Sequence, residues 1–471
     1  MSGKISINYN NPLHKTTSHI IGANRNHLSD EPNLAGKLDT YAKIKPTFGG
    51  GRKLYRLGHG PTDGRLDPPN EYMTGYHFEE WWDRPAEYPY DDIRLGLNEA
   101  KRMDCDITVV VNFGSGTPEE AGRLVSYLNK KDDAVRNAHG DEPWNVTYFE
   151  LGNEVTWRLQ VGHDPHCMSP EIYAKRCKEF AYEMRKNSDI PIKIGLVGCT
   201  SGSWINDDWD NDESSDRLHN IIPFFEFMGD DMDFITYHGY PEFGNSDFEM
   251  MCSNQWFTDK LAKKVIPTVR ESEKKFGLSH PVDIANSEYF SAGYSNSHHQ
   301  DMLEALYTAD TIVTCLNLDI KMAVSFCFSY DKAAIAQSLF FLEDDPNQPT
   351  MLFKVHELFS TNLGNRVLES TGEGLPTTPA EFLDGGAVCN LSHAATLLDD
   401  GTVALVVVNR MDTGSVTTSI ELGFKHSRAE LLTFNGGSYD NKHADYSETP
   451  LEDLAQVTFP SASVSVLRIH P

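Results

Sequence analysis

Thr147-Tyr148-Phe149-Glu150-Leu151-Gly152-Asn153-Glu154 is a short apolar, strand-like run with a carboxylate at its end. Pro281-Val282-Asp283-Ile284-Ala285-Asn286-Ser287-Glu288 repeats the arrangement further along the chain. Roughly 130 residues separate the two glutamates, room for about three strand-plus-helix units at ~30 residues each. In a barrel of parallel strands, residues at the carboxyl ends of different strands converge on one mouth. Glu154 and Glu288 are then expected to face each other there. The plainer reading is that both cap strands or pair with arginines.

Outward from these runs, strand-like and helix-like stretches alternate from about residue 19 to 360. The strand candidates are His19–Ala23, Lys53–Leu57, Ile107–Asn112, Thr147–Leu151, Ile192–Val197, Phe234–His238, Val282–Ala285 and Ile320–Phe328, eight in all. Thr117-Pro118-Glu119-Glu120 offers a capping hydroxyl, proline at the first helical position and acidic residues in the first turn. Ser169-Pro170-Glu171 repeats that device ahead of Tyr173–Lys186. Further helices are predicted at Asp259–Phe276, closed by Gly277, and at Met302–Leu316. The pattern predicts an α/β fold, a (β/α)8 TIM barrel over residues 19–360. A doubly wound open sheet would carry a glycine-rich phosphate loop after its first strand, and none is present.

Past residue 362 the helical pattern vanishes. Ala387–Leu398, Thr402–Asn409, Val416–Leu422, Ala429–Phe434 and Ser463–Ile469 read as strands, with the hairpin signal Asp400-Gly401 between the first two. An all-β sandwich over residues 362–471 is expected, joined by the N-terminal strand within residues 1–18.

A chain of 471 residues exceeds the size at which one core stops growing, so two domains are the default. Its 69 acidic against 41 basic residues argue against a nucleic-acid or anionic-membrane surface, which needs clustered Lys and Arg. No run of about 18 apolar residues occurs, so no membrane-spanning helix is expected. Lys4-Ile5-Ser6-Ile7 leads into a strand pattern without an apolar signal core. That start reads as a cytoplasmic chain or one whose export signal has been removed. The scattered cysteines lack any Cys-x-x-Cys, and Cys199, Cys315 and Cys327 fall in apolar runs as buried thiols. An oligosaccharide or polysaccharide partner is compatible with the charge, and a homo-oligomer stays open.

Two carboxyls facing each other across a barrel mouth can cleave a glycosidic bond. Retention needs one acid to protonate the leaving oxygen and one carboxylate to attack the anomeric carbon, ~5–5.5 Å apart. Glu154 fits the acid/base and Glu288 the nucleophile. Asn153 could donate to the sugar hydroxyl beside the anomeric centre, a bond that strengthens as positive charge develops. Arg56 and Tyr240 end predicted strands and would hold Glu288 ionised. His238 falls on the same side as Tyr240 by the two-residue period. Asn112 opens a Gly-rich turn, Asn112–Thr117, and would back the site rather than line it. The loop Tyr72–Tyr90 carries Trp81 and Trp82, faces suited either to sugar stacking or to packing the loop itself. No cofactor is expected. His163-Asp164-Pro165-His166-Cys167 lacks a partner cluster at zinc-finger spacing, and Asp207–Glu213 lacks the turn glycine of a calcium loop, so no metal is expected.

On these residues the chain resembles a clan A retaining glycoside hydrolase, and most of all family 51, the α-L-arabinofuranosidase family. Val111 through Ala121, Glu150 through Glu154, Tyr237-His238-Gly239-Tyr240 and Val406-Val407-Val408-Asn409-Arg410 carry the resemblance, in the family's order. It implies Glu154 as acid/base, Glu288 as nucleophile, and Asn153 and Arg56 in contact with the −1 sugar or the nucleophile. His238 and Tyr240 would support the nucleophile side. Three stretches depart from the family. Its Arg-x-Pro-Gly-Gly-Asn is here Arg56-Leu57-Gly58-His59-Gly60-Pro61, its Glu-His is Asn26-His27, and its Asp-Glu-Trp is Ser287-Glu288-Tyr289. Clan relatives in families 39 and 79 share Gly-Asn-Glu or a close variant. β-Xylosidase, galactofuranosidase and glucuronidase activities therefore stay open beside the arabinofuranosidase reading. A catalytically idle carbohydrate-binding barrel is the rival of another class, and it predicts carboxyls set too far apart.

Overall fold

The computed structural model describes residues 3–25, 33–58, 65–66, 72–74, 91–114, 116–155, 169–199, 220–240, 246–290, 300–328, 348–380, 383 and 386–471. Strand β1 is Gly3–Lys15. Eight strands follow as a barrel: β2 (Gly22–Asn24), β3 (Lys53–Leu57), β4 (Cys105–Val111), β5 (Tyr148–Leu151), β6 (Lys193–Cys199), β7 (Phe234–Gly239), β8 (Asp283–Tyr289) and β9 (Met322–Ser325). Neighbours pair in parallel, and the ring closes from β9 to β2. Helices pack outside the ring, so strands such as Val109-Val110-Val111 are apolar on both faces and fully buried.

The helix starts follow the capping chemistry. Thr117 Oγ1 accepts from Glu120 N at 3.2 Å ahead of α3 (Pro118–Asn129), and Ser169 Oγ accepts from Ile172 N at 3.2 Å ahead of α4 (Pro170–Lys186). Before them lie α1 (Leu34–Tyr41) and α2 (Ile93–Arg102), and after them α5 (Ile222–Met228).

Several expected boundaries move, and the strand expected over Ala387–Leu398 is two, Ala387–Cys389 and Leu391–Leu397. The first barrel strand begins at Gly22 rather than His19, because Thr17 caps a short 3-10 turn over Ser18–Ile20. The helix expected over Asp259–Phe276 starts earlier, as α6 (Asp247–Lys260) capped by Ser246. It then passes through a π turn, Leu261–Val265, into α7 (Ile266–Phe276). Pro267 has no N–H and its ring crowds the preceding turn, and the widened π turn ends two residues before it. Helix α8 (Met302–Leu318) and α9 (Met351–Asn362) complete the layer. Among the described residues no helix is long and apolar enough to cross a membrane. Cys315 and Cys327 are buried free thiols.

The tail adds β10 (Arg366–Glu373), β11 (Leu391–Leu397), β12 (Val403–Asn409), β13 (Val416–Leu422), β14 (Arg428–Asn435), β15 (Asp445–Leu451), β16 (Val457–Phe459) and β17 (Ser463–His470). Together with β1 they form a nine-stranded sheet in the order β15-β14-β17-β12-β11-β10-β1-β13-β16. Strands β16 and β17 are six places apart in that order, yet only Pro460–Ala462 connects them. A flat sheet would set them ~29 Å apart at ~4.8 Å per strand, and that connection reaches at most ~15 Å. The sheet must therefore roll over on itself, which gives the two layers of a sandwich from a continuous hydrogen-bonded ladder. Asn409 at the end of β12 accordingly donates to Pro460 O at 2.7 Å, just past β16.

Strand β12 is buried along its whole length because both of its faces are covered. Val403, Leu405 and Val407 join the interior of the rolled sheet, while Ala404, Val406 and Val408 join the barrel core. Helix α8 lies at this junction and is buried at every position from Met302 to Leu316. There Arg410 Nη2 donates to both oxygens of Asp310, at 2.8 and 2.9 Å, and its Nη1 reaches Gln255 Oε1 at 3.2 Å and Cys389 O at 3.1 Å. Asp310 also accepts from Asn254 at 3.2 Å. Removing one partner of a buried, hydrogen-bonded ion pair strands the other charge, at ~3–5 kcal/mol. Asp310→Ala is expected to lose about that much stability, read as a lowered thermal midpoint. An unchanged midpoint would show that the junction holds without this pair.

Candidate active site

Arg56 lies inside β3 and is completely buried. A guanidinium has five N–H donors in a fixed plane, and here every one is used. Nε and Nη2 donate to the two oxygens of Glu150, each at 3.0 Å. Nη1 donates to Glu288 Oε1 at 2.7 Å and Asn24 Oδ1 at 2.9 Å. The second Nη2 hydrogen goes to Asn153 Oδ1 at 2.9 Å. Burial alone would lower the pKa of Arg56, but the charges of Glu150 and Glu288 more than reverse that and raise it. The cation is permanent.

Glu288 lies within β8, not beyond its end as the apolar run suggested. The β7–β8 register runs Tyr237 to Asn286 and then His238 to Glu288, so Ser287 is an extra residue and forms a bulge. The β8–β9 ladder skips at the same place. Bulges re-aim side chains, and this one points Glu288 at the barrel mouth. Its other oxygen, Oε2, accepts from Tyr240 Oη at 2.8 Å. Burial, then the Glu288 and Glu154 charges, push the Tyr240 phenol well above its ordinary value, so it remains a donor.

Glu154 follows β5 through Gly152 and Asn153. Gly152 has φ 87° and Glu154 φ 46°, both left-handed. A Cβ on Gly152 would lie 2.5 Å from Val155 Cγ1, so the turn needs glycine there. Tyr173 of α4 donates to Leu151 O at 2.7 Å and accepts from Val197 N at 3.0 Å, which ties down the ends of β5 and β6 beside the turn. His238 Nδ1 lies 2.9 Å from Glu154 Oε1 and 3.4 Å from Glu288 Oε2. Ligand-type atoms of Glu154, His238 and Glu288 all fall within 4.8 Å of one another. Such a trio could hold a cation. Yet each Glu288 oxygen already accepts from a protein donor, Arg56 or Tyr240, and the guanidinium supplies the positive charge.

The structure thus brings Glu154, Glu288, Asn153, Arg56, His238 and Tyr240 together. Asn112 is buried and its Oδ1 accepts from Gly116 N at 3.2 Å, holding the turn after β4. Trp81 and Trp82 lie outside the described residues, as do Asn26-His27, His163–Cys167 and Asp207–Glu213. Two site residues were not read from the sequence, Asn24 and Glu150. Asn24 also donates to Ser287 O at 3.1 Å, bracing the bulge. The signal for Glu150 was a carboxylate inside a strand buried on both faces, which requires a buried cation opposite.

No family model matches the chain. Among curated proteins, an intracellular exo-α-(1→5)-L-arabinofuranosidase 1 of Bacillus subtilis is 23% identical over 52% of this chain and 50% of its own length. A probable α-L-arabinofuranosidase C of Aspergillus fumigatus is 36% identical over 20% of this chain and 19% of its own. The thermostable GH51 α-L-arabinofuranosidase of Thermotoga petrophila superposes with a TM-score of 0.75 at 20% identity, over 100% of both chains. The chain is similar to glycoside hydrolase family 51 of clan A. Its sequence matches span about half or less of the curated family 51 relatives. The structural likeness adds the family 51 fold, a barrel with a β domain.

His238 is fully buried. Burial would lower its pKa, but the Glu288 charge, then the hydrogen bond and charge of Glu154, raise it overall. A raised folded-state value adds stability that is complete below the unfolded value and lost as pH rises through the folded one. Above about pH 6.5, the thermal midpoint of the native chain should fall more steeply than that of His238→Asn. Parallel midpoint profiles would contradict the pairing.

Proposed function

We propose that the chain is a retaining exo-glycosidase of α-L-arabinofuranosidase type, acting on plant or algal oligosaccharides and polysaccharides. The observation that carries this reading is the approach of Glu154 and Glu288 to within 4.8 Å, with Arg56 and Tyr240 each donating to Glu288. That spacing suits direct attack on the sugar; inverting enzymes set their carboxyls ~6.5–9.5 Å apart to admit a water. An idle binding barrel would not need the pair so close.

In the first step Glu288 attacks the anomeric carbon while Glu154 gives its proton to the leaving oxygen, and a glycosyl ester of Glu288 forms. In the second, Glu154 takes a proton from water, whose oxygen attacks the same carbon and releases Glu288. Asn153 has its carbonyl held by Arg56, which leaves its amide NH2 to donate to the sugar hydroxyl beside the reacting carbon. His238 bridges the two carboxyls. The furanose assignment draws on the activity named for the curated relatives.

Glu288→Ala is expected to abolish turnover. Glu154→Ala should spare aryl glycosides with good leaving groups far more than natural linkages, because such groups depart without a proton. Equal losses on both substrate kinds would remove Glu154 from the acid role. A panel of aryl arabinofuranoside, xyloside, galactofuranoside and glucuronide tests the sugar. Arabinofuranoside should turn over fastest, and preference for another member would reassign the −1 subsite.

A further inference from the structure

Glu150 makes no hydrogen bond to either reacting carboxyl among those described, yet it is among the most buried acids of the described residues, 1% exposed. Among the hydrogen bonds described, its two oxygens go to one guanidinium alone, Nε and Nη2 of Arg56 at 3.0 Å each. Arg56 meanwhile gives one Nη1 hydrogen to Glu288 at 2.7 Å and one Nη2 hydrogen to Asn153 at 2.9 Å, beside Glu154. One buried cation is therefore shared between two carboxylates, of which only one stands at the reacting centre.

We propose that Glu150 is a positioning residue that tunes the nucleophile. By occupying two edges of Arg56 with a full negative charge, it weakens the hold of that cation on Glu288 and leaves more electron density on the attacking carboxylate for bonding to carbon. The inference rests on the hydrolase reading above and adds a residue and a physical role to it.

The reasoning follows from charge. A carboxylate facing an uncompensated buried guanidinium is strongly stabilised as the anion, and a more stabilised anion is a poorer nucleophile. With Glu150 in place, Arg56 and Glu150 form a pair with no net charge, and Glu288 meets a hydrogen-bond donor more than a bare cation. Bidentate geometry also fixes the guanidinium plane, so Nη1 and Nη2 can point only where Glu288, Asn24 and Asn153 lie. A purely structural role would be narrower. Glu150 would then merely neutralise Arg56 so that the barrel can fold.

Glu150→Gln separates the two, since it keeps the volume and one acceptor but drops the charge. Activity at low pH is lost when Glu288 is protonated. With the Glu150 charge gone, Glu288 keeps its anionic form to lower pH. The acid limb of kcat/KM against pH, on an aryl arabinofuranoside, should move to lower pH. The alkaline limb should move the same way, and kcat should fall about 10- to 100-fold. Glu150→Asp restores the charge with a shorter reach, so its limbs should return to the native positions while kcat stays reduced. Limbs of Glu150→Gln at native positions, whatever the loss in kcat, would overturn the inference and leave only the structural role. If Glu150→Gln does not fold, Glu150→Ala, which also removes the charge, decides: an acid limb moved to lower pH supports the inference and a native acid limb overturns it. An unaltered chain that hydrolyses no glycoside would sink the hydrolase reading and this inference with it. An active chain with unmoved limbs sinks this inference alone.

Discussion

The guanidinium of Arg56 organises the barrel mouth. Burying a cation in a barrel core is costly unless every N–H finds an acceptor. Here the acceptors come from Asn24 at the end of β2, Glu150 in β5, Asn153 beyond it and Glu288 in β8. One planar group on β3 thereby fixes the relative placement of three other strands of the ring. Lys would not substitute, because a single ammonium has three donors and no fixed plane to set two carboxylates and two amides at once.

Around that fixed point, two irregularities of the barrel each aim a carboxyl. The two irregularities are unlike. Glu288 is aimed by an inserted residue, Ser287, which breaks the alternation of β8. Glu154 is aimed by two left-handed backbone positions, Gly152 and Glu154 itself. Strained or irregular backbone at a strand end persists only where surrounding contacts over-determine it. Tyr173 across the ends of β5 and β6, and Asn24 beneath Ser287, supply such contacts.

The eight barrel strands were legible because strands buried on both faces are written as short apolar runs. The paired glutamates, Arg56, His238 and Tyr240 were legible because each closes or follows such a run, and carboxyl ends of barrel strands share a mouth. Glu150 was quoted within its run, but nothing in one-dimensional spacing says which charge lies across the ring. Asn24 was hidden by placing the first strand too early. The bulge at Ser287 masked the true length of β8. In the tail, Arg366–Glu373 was missed because most of its length is half-exposed or exposed, without clean alternation. Asp445–Leu451 was missed for its polar composition and Pro450, the marks of an edge strand, and it does lie at the edge of the sheet. Rolling of a continuous sheet into two layers follows from connection lengths, which become informative only once the strand order is known.

Strand β1 occupies an interior position in the rolled sheet, between β10 and β13, with Lys4 opposite Glu373 on one side and Ser419 on the other. It is made before its neighbours, which emerge some 360 to 410 residues later. At ~5–20 residues per second that is a wait of roughly 20 to 80 seconds. The barrel can close during this interval, whereas the β layer cannot finish until the last strands are released. An early segment of this chain is therefore taken up between strands made much later.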